Sequence, residues 1–84
     1  MNRANNGSLV VKFEHPKKNE VLVIAQRTPY SKYNVRYYFR DIDESISFGK
    51  FDTIKDLYCY LRDNKKVSQW FLINILDEFK FTTF

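Results

Sequence analysis

The chain has one cysteine, two glycines, two prolines and one histidine in 84 residues, and each scarcity removes a class of protein. With Cys59 alone, neither an internal disulfide nor a zinc site built from several cysteines can form, so a reducing, cytoplasmic setting is expected. His15 and Cys59 are the only candidates for a nucleophile–base pair, and both are more economically explained as packed residues, so the chain is expected not to be an enzyme. Gly7 and Gly49 do not make a phosphate-cradling loop, and no metal-ligand spacing occurs, so no cofactor is expected. No run approaches the roughly 20 apolar residues that cross a bilayer, and the start is polar rather than signal-like, so membrane association is not expected either.

What is present is the composition of a folded domain, with 44% hydrophobic and 18% aromatic residues. A chain this short supplies one modest core. Residues 1–8, which include three Asn, read as a flexible leader, and residues 9–84 as a single α+β domain. The net charge of +4 is unevenly distributed: residues 1–40 hold eight Lys and Arg against two Glu, and residues 41–84 hold six against eight acids. The first half is therefore basic, which favours an anionic partner without identifying one.

The hydrophobic period changes once along the chain. Leu9, Val11, Phe13 and His15 alternate on one face of a first strand, and Pro16–Glu20 interrupts it before Val21–Arg27 resumes. Val21–Ala25 is apolar on both faces, as in a central strand that is covered twice or whose second face meets a partner. Tyr33–Arg40 separates most clearly, with Tyr33, Val35, Tyr37 and Phe39 against Asn34, Arg36, Tyr38 and Arg40. After the acidic turn Asp41–Glu44, Ser45–Phe48 reads as a short fourth strand with Ile46 and Phe48 inward. Thr53 and Asp56 then form a capping-box pattern, and Ile54, Leu57, Tyr58 and Leu61 line one helical face over residues 53–63. A second helix over residues 68–79 carries Phe71, Leu72, Ile75, Leu76 and Phe79 as its stripe. The expected fold is a four-stranded antiparallel meander followed by two helices, ββββαα.

Two surfaces are candidates for binding. Trp70 and Ile73 supplement the stripe of the second helix, leaving it apolar around most of its circumference. With Phe71 and the C-terminal Phe81 and Phe84 they form a candidate protein-docking surface, or a homodimer contact through helix 68–79. Arg36, Tyr38 and Arg40, with Lys12 and Arg27 nearby, form a candidate nucleic-acid surface, because interleaved guanidinium and aromatic groups contact phosphates and bases.

Tyr33-Asn34-Val35-Arg36-Tyr37-Tyr38, the strand after it, and Phe51-Asp52-Thr53-Ile54-Lys55-Asp56-Leu57 resemble the arm-type DNA-binding domain of phage-type integrases. The resemblance covers about the middle third of the chain, and Asp41–Glu44 stands where that family has a basic glycine turn. It implies a sheet face that contacts DNA. The leading expectation from the whole sequence is a small regulatory or inhibitory protein, phage- or mobile-element-encoded, that binds a protein partner. Nucleic-acid binding through the sheet is the alternative.

Overall fold

A computed structural model describes residues 8–80. Four strands, β1 (Leu9–Glu14), β2 (Glu20–Gln26), β3 (Tyr33–Phe39) and β4 (Ser45–Phe51), are followed by helices α1 (Ile54–Asp63) and α2 (Gln69–Phe79). The strands form one antiparallel sheet in chain order, so the expected ββββαα meander is the observed one.

Register divides the sheet into two unlike faces. Val11 pairs with Ile24 and Ile24 with Val35, while Phe13 pairs with Leu22 and Leu22 with Tyr37. Because side chains alternate along a strand, these residues share one face. Both helices pack on that face: Leu57, Tyr58 and Leu61 of α1 and Phe71 and Ile75 of α2 join Leu9, Val11, Phe13, Leu22, Ile24 and Val35 in one core. Among the described residues nine side chains, including Phe71, Leu22 and Ile75, are fully buried.

Local chemistry explains the ends of the elements. The Thr53 side chain accepts a hydrogen bond from the Asp56 amide at 3.0 Å, which caps α1 as its sequence predicts. α2 starts less securely, since Ser68 makes no side-chain cap bond and its Oγ is buried without a partner. Its other end stops at Lys80, which is left-handed at φ 50°. In the β1–β2 turn, His15 Nδ1 accepts hydrogen bonds from the amides of Lys17 and Lys18, both at 3.1 Å. The imidazole replaces the ladder partners that Pro16 interrupts.

Two details depart from the sequence reading. β4 continues to Phe51 instead of stopping at Phe48, because a bulge lies where the partners of Val35 and Arg36 shift from Gly49 to Ser47. Gly49 takes φ 108° there, a conformation that breaks the side-chain alternation along the strand. Ile46, expected inward, is 55% exposed. It lies opposite Tyr37 on the helical side of the sheet, but beyond the cover of the helices, where it lines a 130 Å³ apolar cavity with Phe39 and Ile42. The proposed leader lies almost wholly outside the described residues.

Candidate nucleic-acid interface

Among the described residues, no helix lies over the second face of the sheet. Its rows follow from the register: Val10–Ala25–Asn34–Lys50, Lys12–Val23–Arg36–Ser47 and Glu14–Val21–Tyr38–Ser45. Lys12, Arg36 and Lys50 are exposed, Val23 and Ala25 are half-buried, and Val10 is 60% exposed. The doubly apolar strand Val21–Ala25 therefore has one face in the core and the other in the floor of this open surface. Val21 alone is fully buried there, between its cross-strand neighbours Glu14 and Tyr38.

Cations dominate this face. Lys12 and Arg36 stand two strands apart, about 10 Å, which is roughly one Debye length at 0.1 M salt, so their fields reinforce each other at low salt and are increasingly screened above it. Arg36 Nη1 donates to Ser45 Oγ at 3.4 Å and makes no ion pair among the described residues. Lys50, which the sequence reading did not include because it ended β4 too early, extends the patch onto the edge strand. Arg27 lies just beyond the end of β2, exposed at the margin. The acid in these rows, Glu14, is already paired with Arg40 at 3.6 Å.

Arg40 belongs to the fold more than to this surface. Its Nη2 donates to the carbonyl of His15 at 2.8 Å and its Nη1 to the carbonyl of Lys18 at 3.2 Å, so the guanidinium fastens the β1–β2 turn to the end of β3. Tyr38 is on the open face and half-buried, whereas Tyr33, Tyr37, Phe48 and Phe51 pack against the core on the other side. The face is thus rich in cations and poor in stacking rings.

The residues of the candidate protein-docking surface separate. Phe71 is fully buried and belongs to the core, so it is withdrawn from that set. Trp70 is half-buried, with its ring centroid 4.9 Å from that of His15 and 5.1 Å from that of Phe71. Ile73 is 55% exposed. Phe81 and Phe84 lie outside the described residues. The helix expected to be apolar nearly all round is so in sequence, but α1, His15 and the sheet absorb most of that surface.

Burial raises the Tyr37 hydroxyl to about 12, assisted by Glu20, whose carboxylate accepts its hydrogen bond and adds a negative charge nearby. His15 and Cys59 engage different partners: the His15 ring is held by the turn amides and Trp70, and Cys59 Sγ accepts a weak hydrogen bond from Arg62 at 3.8 Å. Among the described residues no cluster of His, Cys, Asp and Glu is suited to a metal, and no helix is long and apolar enough to cross a membrane. Comparison with known proteins finds no matching family model, no similar curated protein and no similar solved structure. Function therefore rests on the geometry of this chain's own surfaces.

Proposed function

We propose that this is a non-enzymatic binding domain that holds nucleic acid against the open face of its sheet. One observation carries the reading: Lys12, Arg36 and Lys50 share a sheet face that no described helix covers, and the acid in its rows, Glu14, is paired with Arg40. A phosphate backbone is the common polyanion that matches such a surface, and its contacts need positive charge and reach more than a deep pocket. Arg36 and Lys12 contact phosphates, Lys50 and Arg27 extend the track, and Val23 and Ala25 provide a flat floor that permits close approach. Arg40 contributes by fixing the turn beside the patch.

The experiment is an amide chemical-shift titration with a short duplex at low salt. Binding here shifts Lys12, Val23, Arg36 and Lys50 while leaving α1 and α2 in place. Shifts concentrated on α2, or none anywhere, refute the reading. A regulatory or inhibitory protein that docks on another protein is the second reading, favoured by the exposure of Ile73, and shifts on α2 upon addition of a protein partner would support it.

A further inference from the structure

α2 carries most of its nearby charges against its own dipole, the C-cap Lys80 excepted. Aligned peptide groups leave partial positive charge at a helix N-terminus and partial negative charge at its C-terminus. The first turn of α2 contains no acid and its last turn no base. Lys65 and Lys66 instead precede the N-terminus, while Asp77 and Glu78 occupy the last turn. Lys65 and Lys66 are favourable for α1, whose C-terminal end they follow, while at the C-terminal end of α2 the cap Lys80 faces the two acids Asp77 and Glu78. Asp77 takes part in none of the ion pairs between described residues, which are Lys32–Asp52, Arg40–Glu14 and Arg62–Asp63.

The same helix borders a groove. Leu72, Ile73 and Leu76 of α2 line a cavity of about 430 Å³ together with Tyr58, Arg62 and Lys65. Arg62 and Lys65 sit at the end where α1 turns into α2. Gln69, Ile73 and Asp77 recur at intervals of four, so they form one stripe along the helix, and all three are exposed. That stripe is basic-flanked at one end, apolar at its centre and acidic at the other.

We propose that a second copy of this chain covers the groove, with the two α2 helices antiparallel across a two-fold axis at Ile73. A two-fold contact must be self-complementary, since each patch meets its own image. Antiparallel alignment about Ile73 sets residue 69 against residue 77 of the partner, and so brings Asp77 to the end marked by Arg62 and Lys65. Two such pairs form per dimer, each placing a cation beside the negative end of a partner helix, and the two Ile73 side chains leave water together. The helices lie on the opposite side of the sheet from Lys12, Arg36 and Lys50, so the dimer leaves both basic faces open. This inference does not depend on the nucleic-acid reading.

The test is light scattering of the full chain over a concentration series, combined with charge reversal. Wild type is expected to be dimeric, and Asp77→Lys to weaken the dimer at least about tenfold by opposing like charges. Lys65→Glu combined with Asp77→Lys restores the pairs with their signs exchanged and recovers the dimer. Ile73→Asp gives a monomer whose thermal unfolding is close to that of wild type at matched low concentration, because this side chain is outside the core. A wild type that is monomeric at its highest soluble concentration, a dimer indifferent to Ile73→Asp, or a double reversal that fails to recover association overturns the proposal.

Discussion

The guanidinium of Arg40 donates to the carbonyl oxygen of His15 at 2.8 Å, joining the end of β3 to a turn 25 residues earlier in the chain. It also donates to the Lys18 carbonyl and meets Glu14, while the amide of Arg40 donates to Asn19. Arg40→Ala is therefore expected to lower stability by about 1–2 kcal/mol, since charged hydrogen bonds are lost in a partly exposed site. Arg40→Lys should recover only part of it, because an ammonium cannot reproduce the planar fork. Chemical denaturation measures both. An Arg40→Ala variant as stable as wild type would return this residue to the binding surface.

Trp70 and Phe71 are neighbours in sequence with different duties. Phe71→Ala should cost roughly 3–5 kcal/mol, as expected for emptying a fully buried aromatic site. Trp70→Ala should cost less, about 1–3 kcal/mol, because its ring is half-buried against His15 and Phe71. Thermal melts of the two variants settle the order. Equal melting temperatures for Trp70→Ala and wild type would mark the indole as a docking residue.

Gly49 combines φ 108° with open space, since nothing lies within 4 Å of where a Cβ would stand. Gly49→Ala should therefore destabilise through backbone strain alone, by about 1–3 kcal/mol. The bulge it supports aims Phe48 at Tyr37 and Tyr60. A stable alanine variant, with unchanged amide shifts in β4, would show that the bulge does not require this conformation.

Tyr37 predicts an alkaline limit to stability. Its folded value of about 12 lies above the ordinary 10.0, so the folded state holds this proton more tightly than the unfolded chain does. The corresponding stability is fully present below pH 10 and is lost as pH rises towards 12. Over that window wild type should lose stability more steeply than Tyr37→Phe, which lacks the ionisation. Parallel curves for the two proteins would remove the linkage.

The two faces of the sheet were legible because alternation is a strict geometric rule, and it separated Tyr33, Val35, Tyr37 and Phe39 from Arg36 and Tyr38. The cap at Thr53 was legible because its signal is local. What alternation does not encode is a side chain's final partner. Arg40 has the spacing of a surface cation, yet its guanidinium reaches back to carbonyls in the β1–β2 turn, a contact set by the pairing of three strands. Lys50 was missed because a glycine at positive φ hides the continuation of a bulged strand. In α2 the stripe Phe71, Leu72, Ile75, Leu76 and Phe79 was legible from its spacing and packs on the core, but which of its members are fully buried was not: the short connection at residues 64–68 together with the placement of α1 selects Phe71 and Ile75.

The most direct measurement of the central claim is the salt dependence of binding to a labelled duplex, for wild type and for the Lys12→Ala/Arg36→Ala variant. If Lys12, Arg27, Arg36 and Lys50 each neutralise a phosphate, log K should fall against log salt with a slope of about −3 to −4. The double variant should remain folded and its slope should be shallower by about two units. Absence of wild-type binding at low salt, or equal slopes for the two proteins, would contradict the assignment of the open sheet face as the working surface.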